Sequence, residues 1–360
     1  MTTSAHKHPY SDLGAAAYWR RAVVNAGPLL DPVVEPFPTL GRGDKVATAG
    51  SCFAQHIARH LAISGYHYLV TENAHPIVPA DVATRYGYGL FTARYGNIYT
   101  TLQLLQLFKR AYGRFSPQED VWAMPGGGYA DPFRPSIEPG GFASVAELQA
   151  DRAHHLACVR EAFETLDLFI FTLGLTETWL SRADGAAFPI CPGIIAGSFD
   201  SNRHAFKNLR VADVTAQLHA FIMALRGVNP RAQIMLTVSP VPLAATAMPS
   251  GHVLSATTYS KSVLRAAAQE MAEDMPSTFY FPSYEIITGP QARGRFFADD
   301  LRTVTEDGVA HVMATFLHHV GGADDHPAPA PLSTDDTFLS GMQRWVDVMC
   351  DEAALDLGED

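Results

Sequence analysis

The sequence predicts an α/β protein built on a parallel central sheet. Continuous apolar runs stand at residues 167–173 and 232–238, and such runs suit strands buried on both faces of a parallel sheet. Segments with helical periodicity separate these runs, and strands that alternate with helices indicate a parallel α/β arrangement. The alternation begins at residues 45–61, where a β-prone run ends in Gly50 and a helical pattern follows.

The remaining elements follow from the same patterns. The predicted helices cover residues 97–111, 145–165, 211–225, 260–275 and 308–317, with Ser260 as an N-cap, and a short strand covers 279–281. Two segments rich in Gly and Pro, 116–141 and 185–204, are predicted loops, and the first could lie over a site. We expect an N-terminal extension at 1–43, one domain at 44–320 and a C-terminal tail at 321–360.

Composition excludes several classes of protein. The 360 residues are 47% hydrophobic and 18% charged, which suits a large buried core. No apolar run approaches the roughly 18 residues that span a bilayer, and the N-terminus lacks the pattern of a signal peptide, so we expect a cytoplasmic protein without a membrane span. A net charge of −11 argues against a nucleic-acid partner. The four cysteines lack metal-site spacing and are predicted to be free thiols: Cys52, Cys158, Cys191 and Cys350.

The best candidate for a reactive group stands between the first predicted strand and the first predicted helix. Gly50 permits a tight turn, and a hydroxyl and a thiol, Ser51 and Cys52, follow it. The free N–H groups and the positive end of a helix stabilise a thiolate, so this turn suits a nucleophile. The alternative is a buried cysteine in an ordinary βα turn.

Residues 50–54, with the letters GSCFA, resemble the signature of the GSCFA family, which is grouped with the SGNH/GDSL hydrolases. The resemblance covers roughly residues 44–317. It implies a flavodoxin-like, SGNH hydrolase-like three-layer α/β/α sandwich, with five parallel strands in the order 2-1-3-4-5. It also implies a nucleophile after the first strand. On the Gly-Asp-Ser motif of that superfamily, Ser51 takes the Asp position and Cys52 the position of the nucleophilic Ser.

Two further segments resemble SGNH blocks that bind the oxyanion. Gly96 and Asn97 stand where that superfamily has a glycine N–H donor, and Gly174, Thr176 and Glu177 stand where it has Gly-x-Asn-Asp. Thr176 therefore replaces the Asn, and its hydroxyl donates a single hydrogen bond with a different reach. The alternative is helix capping, by Asn97 at one helix and by Thr176 with Glu177 at another.

The general base is where the sequence departs from that superfamily, whose Asp-x-x-His precedes the last helix. Asp300 is followed by Thr303 in the position of the His. His252 is therefore our candidate base, since it lies in a loop after a buried strand and such loops can reach the edge of the sheet. Two other histidines are weaker candidates, with structural or exposed roles as the alternative: His56, one helical turn after the thiol, and His311 in the last predicted helix.

Together these features predict an SGNH-type ester hydrolase or O-acyltransferase, and the resemblance implies O-acyl groups of glycans as substrates. We expect a small-molecule or glycan substrate, no cofactor and no metal, and the sequence does not predict the oligomeric state. Two alternatives stay open: a ligand-binding protein on the same fold without catalysis, and a thiol-dependent amidase or peptidase. Five basic residues are expected at the surface, where they could meet an anionic substrate: Arg85, Arg94, Lys109, Arg110 and Arg114.

Overall fold

A computed structural model describes residues 8–35 and 37–321, so Cys350 and all but the first residue of the predicted tail lie outside the described residues. The helices are α1 (Cys52–Ile63), α2 (Ala80–Arg85), α3 (Thr101–Ala111), α4 (Val145–Thr165), α5 (Val211–Val228), α6 (Val253–Asp274), α7 (Ser283–Thr288) and α8 (Glu306–Val320). The strands are β1 (Val46–Gly50), β2 (Trp122–Ala123), β3 (Tyr129–Ala130), β4 (Leu168–Leu173), β5 (Glu177–Ser181), β6 (Ala187–Phe188), β7 (His204–Asn208), β8 (Gln233–Val238) and β9 (Thr278–Tyr280).

The central sheet is parallel, with the strand order β1-β4-β8-β9. On the free side of β1, Val46 makes a single parallel bridge with Tyr68. The predicted order 2-1-3-4-5 is therefore followed, but its second strand is reduced to this bridge, so the sheet has four strands where five were expected. Two hydrogen bonds make this bridge, from Val46 N–H to His67 O and from Leu69 N–H to Val46 O, but Thr71 N–H already donates to Thr92 O, so the pairing with β1 does not continue.

Helices cover both faces of this sheet, which gives the predicted three-layer α/β/α sandwich. Side chains alternate between the two faces along each strand. Phe169 and Ile234 point to one face, where they pack with α3, α4, α5 and α6. Ile170 and Met235 point to the other face, where they pack with α1, α7 and α8. The buried apolar residues therefore form two clusters, one on each side of the strands.

The antiparallel sheet β6-β5-β7 follows the end of β4 and was not predicted. Because β5 begins at Glu177, the alternative in which Thr176 and Glu177 cap a helix is wrong. The helix α6 begins at Val253 with His252 as its N-cap, so the predicted start at Ser260 is also wrong. The N-cap of α3 is Thr100, which excludes Asn97 from that role.

The predicted loop at 116–141 contains the two short strands β2 and β3 and is fixed against α4 by buried and partly buried ion pairs. Arg134 Nη2 lies 3.1 Å from Asp131 and 2.7 Å from Asp151, and Arg152 Nη1 lies 2.7 Å from Asp120. Charges buried in this way need partners, because desolvation of an unpaired charge costs several kcal/mol. The loop is therefore part of the packed structure beside α4.

Residues 30–35 and 37–40 pack along α8 and the β9 edge of the sheet. The Leu40 N–H donates to Val320 O at 2.7 Å, and His311 Nε2 lies 3.2 Å from Leu30 O. The Phe37 ring contacts the rings of Phe279 and Phe281. The domain boundary at residue 43 stays a prediction. Within residues 8–35 and 37–321, no helix combines the length and the apolar character needed to cross a membrane.

Candidate functional site

The turn after β1 can be made with glycine alone. Gly50 has φ of 143°, and a Cβ at this position would lie 2.3 Å from Thr172 O on β4. The chain then enters α1, with Ser51 as the N-cap and Cys52 as the first helical residue. Ser51 is buried, whereas Cys52 is partly exposed. The thiol is therefore the more accessible of the two candidate nucleophiles.

The segment around Gly96 and Asn97 lies directly against this turn. Ile98 N–H donates to Gly50 O at 2.8 Å, and Gln55 Nε2 on α1 donates to Asn97 Oδ1 at 3.2 Å. Gly96 has φ of 69°, and the space where its Cβ would stand is open. The two segments that the sequence singled out are thus joined by hydrogen bonds in the fold.

The segment after β4 completes the arrangement. The N–H groups of Gly174 and Leu175 donate to Tyr99 O at 3.2 and 2.9 Å. A Cβ on Gly174 would lie 3.2 Å from the Cβ of Ser51, so this backbone passes against the turn. All three predicted blocks therefore meet at the carboxyl end of β1 and β4, where ligands bind in open α/β sheets.

The backbone donors of these blocks are not equally available. Gly174 N–H is taken by Tyr99 O, and Thr176 N–H donates to Ser260 Oγ at 3.0 Å. Gly96 is buried, and its N–H donates to no atom of residues 8–35 or 37–321. Buried N–H groups without a partner are rare, so Gly96 is the backbone donor with most reason to bind a substrate oxygen.

Three buried hydroxyls at the same edge have no hydrogen-bond partner within the described part of the chain. They are Ser51 Oγ, Thr172 Oγ1 and Thr176 Oγ1. Each such group forgoes the hydrogen bonds it would make in water, which costs about 1–3 kcal/mol. An edge that keeps such groups is a candidate for ligand binding.

Sequence reasoning missed the contribution of α6 to this edge. Lys261 is 1% exposed, and its Nζ donates to Gly174 O at 2.8 Å. Its neighbour Ser260 accepts from Thr176 N–H, so two successive side chains of α6 hold the segment after β4. The adjacent Ser and Lys were visible in the sequence, but the expected helix start at Ser260 concealed that both lie well inside a helix.

Glu177 and His252 both contact the loop that joins β8 to α6: Glu177 binds its middle, and His252 stands at its end as the N-cap of α6. The Glu177 carboxylate accepts hydrogen bonds from Thr246 Oγ1 at 2.6 Å and from Ala247 N–H at 3.1 Å. His252 is exposed, and its Nδ1 accepts from Leu254 N–H at 3.1 Å as the cap of α6. One ring nitrogen of His252 is therefore engaged in capping, and Glu177 anchors the loop.

The loop before α8 is built around Asp300. Its carboxylate accepts from the N–H groups of Arg302 and Thr303 at 2.9 Å and from Thr303 Oγ1 at 2.6 Å. The net effect of these hydrogen bonds, opposed by burial, lowers the pKa of Asp300. The position where the superfamily has a histidine thus holds a threonine that closes a local turn.

A different imidazole lies near the nucleophile. His56 is four residues after Cys52 on α1, and residues at this spacing are neighbours on a helix surface. Burial lowers the pKa of His56 to about 4, although the nearby Glu306 carboxylate acts to raise it. Its Nδ1 has no hydrogen-bond partner within the described residues. Arg59 Nη2 binds Glu306 at 2.9 Å and so ties α1 to the start of α8.

The ligand atoms of Asp31, His318 and His319 come within 4.8 Å of one another, which is the geometry of a possible metal group. His319 Nε2 lies 2.7 Å from Asp31 Oδ2, and this hydrogen bond accounts for the approach of the two segments. The group joins the N-terminal segment to the end of α8.

The GSCFA family model matches residues 45–316. The chain belongs to the GSCFA family. This match spans the whole central sheet and every segment of the candidate site. No curated protein sequence matches the chain significantly.

Three solved structures resemble this GSCFA protein at a distance. An acetyl esterase mutant with an acetate ion is 10% identical, with 76% of this chain and 93% of that chain covered and a TM-score of 0.29. A carbohydrate esterase family 3 protein from Talaromyces cellulolyticus is 12% identical, with 76% and 94% covered and a TM-score of 0.27. An acetyl xylan esterase from the rumen bacterium Butyrivibrio proteoclasticus is 11% identical, with 70% and 58% covered and a TM-score of 0.25. TM-scores this low carry no functional argument.

Proposed function

We propose that this GSCFA protein is an ester hydrolase whose nucleophile is the Cys52 thiolate. The observation that carries the proposal is the convergence of three separate segments, around Ser51, Asn97 and Gly174, at one edge of the sheet. Of the two candidate nucleophiles, Cys52 is favoured because it is partly exposed and begins a helix, where the helix dipole stabilises a thiolate.

The reaction would proceed through a thioester. The Cys52 sulfur attacks the ester carbonyl carbon, and the carbonyl oxygen gains negative charge that the N–H of Gly96 and the side-chain amide of Asn97 stabilise. The C–O bond to the alcohol breaks, and the alcohol leaves with the proton that the base had taken from the Cys52 thiol. Water then attacks the thioester while a base accepts its proton, and the acid is released with the thiol restored.

We propose His56 as the base in place of the sequence candidate His252. His56 lies one turn from the nucleophile, and burial keeps its imidazole neutral and able to accept a proton at neutral pH. Glu306, near His56, would stabilise the imidazolium that forms. His252 stands at an exposed helix start and uses Nδ1 as a cap. Its role as the base stays a prediction, which the experiment below tests directly.

The finer assignments are proposals of the same kind. The substrates would be O-acyl esters of small molecules or glycans, and a sugar hydroxyl in place of water would make the enzyme an acyltransferase. Gly174, Thr176 and Glu177 would shape the substrate site, with Lys261 holding Gly174 in place. The rival proposal is a binding protein without catalysis, and Thr303 in the position of the superfamily histidine favours it.

The test of the nucleophile is a hydrolysis assay with a chromogenic acetyl ester. Cys52→Ala is expected to lower the rate at least about 10³-fold, because the thioester can no longer form. Ser51→Ala should keep most of the activity, and Cys191→Ala, which removes another partly buried thiol, is the matched control. Full activity in both Cys52→Ala and Ser51→Ala would refute the proposal. No activity in the wild type against esters or amides would favour the rival.

The test of the base compares His56→Gln with His252→Gln. We expect His56→Gln to lower kcat about 10²–10⁴-fold and His252→Gln to leave it nearly unchanged. For the wild type, kcat/KM should fall as the pH drops through about 4, where His56 becomes protonated. A large loss in His252→Gln alone would restore the sequence candidate.

A further inference from the structure

A small cavity lies beside the candidate site, and its polar lining is incompletely satisfied. The cavity measures about 20 Å³, which is room for one water molecule or an ion of similar size. Its walls come from α3, α4 and the segments around residues 97 and 133. The residues that matter here are Asn97, Ile98, Arg110, Phe133 and His155.

Arg110 is the unusual member of this lining. It lies at the end of α3, is 8% exposed, and places its guanidinium 3.8 Å from the centre of the Phe133 ring. Among residues 8–35 and 37–321, its Nη2 has no hydrogen-bond partner and no carboxylate forms an ion pair with it. Its neighbours Arg134 and Arg152 both bind carboxylates within 3.3 Å. Arg110 was expected at the surface, and that expectation was wrong for it.

Nearby carboxylates attract Arg110, but none of those described binds it. The charged groups that act on it most strongly are two carboxylates, Asp131 and Asp120, and two guanidinium groups, Arg152 and Arg134. Asp131 binds Arg134 and Arg152, and Asp120 binds Arg152, so neither carboxylate forms an ion pair with Arg110. Burial lowers the pKa of Arg110 to about 10, so the side chain still carries its charge at neutral pH. Its Nη2 is therefore an unused donor in a buried position, which costs free energy unless a ligand accepts from it.

A second unpartnered group faces the same cavity. His155 is 1% exposed, and its Nδ1 lies 2.7 Å from Glu72 Oε2, while its Nε2 has no partner in the part of the chain that the structure describes. Burial acts to raise the pKa of Glu72, but its hydrogen bond with His155 and the charges around it outweigh burial and lower the pKa to about 2. Glu72 is therefore ionised. Nδ1 therefore carries the hydrogen, and Nε2 is either an empty acceptor or, when protonated, a second donor.

We infer that this cavity binds one small monovalent anion, of the size of chloride or of the carboxylate of a short acid, between Arg110 and His155. Arg110 supplies the charge and the Nη2 donor, and His155 supplies a second donor after taking up a proton at Nε2. Chloride and a carboxylate share this chemistry, so the two sources are separated by experiment. The inference concerns binding and holds whether or not Cys52 is a nucleophile.

The cavity also contacts the candidate site through the backbone. Asn97 and Ile98 line the cavity, and the same two residues bind Gln55 and Gly50 at the start of α1. An anion that fixes Arg110 against Asn97 would therefore also fix the segment that carries the proposed oxyanion donors. Occupancy is expected to change the thermal stability of the protein first, because a ligand that binds the folded state alone stabilises it.

The first test is thermal unfolding of the full chain in the sodium salts of chloride, formate or acetate. Sodium gluconate at equal ionic strength is the reference, because gluconate is too large for the cavity. For the wild type, at least one small anion should raise the midpoint by about 2 °C or more. Arg110→Met should abolish this increment, and Arg114→Met, which removes an exposed arginine three residues beyond α3, should keep it. A chloride response without a formate or acetate response would identify a halide site, and the reverse a carboxylate site.

Protonation of His155 predicts that the stabilisation by the anion depends on pH. Glu72, Asp131 and Arg134 are the charged groups that act on this imidazole, and burial lowers its pKa to about 4. Anion binding should take up a proton there, so the increment over gluconate should be larger at pH 5.5 than at pH 7.5. An increment that is independent of pH would overturn the assigned role of His155.

The decisive measurement is a wild-type crystal grown in sodium bromide. An anomalous peak within hydrogen-bond distance of Arg110 Nη2 would confirm the anion site even if Arg110→Met fails to fold. A water molecule that accepts from Arg110 and donates to His155 Nε2, with no anomalous signal and no anion-specific stabilisation, would overturn the inference.

Discussion

Two buried polar regions of this protein differ in how completely their groups are paired. Between α4 and the segment 116–141, Arg134 binds Asp131 and Asp151, and each of these charges has a partner. At the carboxyl edge of β1 and β4, the hydroxyls of Ser51 and Thr176 have no partner in the described chain. The first region therefore contributes to a single stable fold, whereas the second keeps unused hydrogen-bonding capacity, as a binding site would.

The two regions should respond to mutation in opposite ways. Removing a partner from the ion-pair cluster leaves uncompensated charges and should destabilise the fold. Removing a polar group from the sheet edge should change the rate of the reaction and have a small effect on stability. The predictions below use this difference, beginning with the largest expected effect.

Arg134→Met should lower the free energy of unfolding by about 3 kcal/mol, because buried Asp131 is left with Arg152 alone and partly buried Asp151 with Arg94 alone. Urea denaturation measures this change. Arg231→Met removes an exposed arginine and should change stability by less than about 0.5 kcal/mol. If Arg134→Met were as stable as the control, the cluster would not hold the segment to α4.

Asn97→Ala should lower kcat about 10²–10³-fold with a small change in KM, because an oxyanion donor acts in the transition state. Gln55→Leu removes the hydrogen bond that orients Asn97 and should have a smaller effect. Steady-state kinetics with the chromogenic acetyl ester tests both variants. If Asn97→Ala loses stability but keeps kcat, the role of Asn97 is structural, like that of the residues in the ion-pair cluster.

His155, which is buried, and His56, which is partly buried, should make stability depend on pH. Burial lowers the pKa of both His56 and His155 to about 4, below the value in the unfolded chain. The unfolded state therefore binds more protons between about pH 6.5 and pH 4, so stability is full above pH 6.5 and is lost as the pH falls through this window. Each histidine contributes on the order of 3 kcal/mol.

His56→Gln should reduce this pH dependence, as followed by thermal unfolding between pH 4 and pH 7. Glu72 acts in a separate window, since its pKa is lowered to about 2 and its contribution is lost below about pH 4.5. An unchanged slope above pH 4.5 in His56→Gln would mean that the fold does not lower the pKa of His56.

Cys52 should react with limiting iodoacetamide about ten-fold or more faster than Cys158 and Cys191. Burial raises the pKa of those two thiols to about 11, with nearby carboxylates also acting on Cys158. Their thiolate fraction at neutral pH is therefore small. Mass spectrometry of the labelled peptides measures the three rates. Equal labelling would remove the chemical distinction on which the proposed site rests.

Local sequence signals predicted the parts of the fold that local chemistry determines. The helix α4 has the predicted bounds, since Ser144 caps it by accepting from Glu147 N–H. The turn at Gly50 was predicted because glycine alone fits there. The start of α6 was missed because its cap is the imidazole of His252, which is a rare capping group. The β5–β7 sheet was missed because its pairing joins residues far apart in the sequence.

The candidate site was predicted only in part, because it depends on contacts between residues that are distant in the sequence. Its three segments were named from the sequence, but their contacts depend on the packing of distant residues, as between Gly174 and Lys261. The burial of Arg94, 2% exposed, was missed because its partners Glu72 and Asp151 lie 22 and 57 residues away. A prediction from residue type alone places such an arginine at the surface.

The most direct test of the central claim is to trap the acyl-enzyme. The wild-type protein is mixed with an acetyl ester, quenched in acid within the first turnover, and digested for mass spectrometry. The account predicts one acetyl group on the peptide that contains Cys52, removable by neutral hydroxylamine as a thioester is, and absent from Cys52→Ala. An acetyl group on another residue, or ester turnover in Cys52→Ala at the wild-type rate, would contradict it.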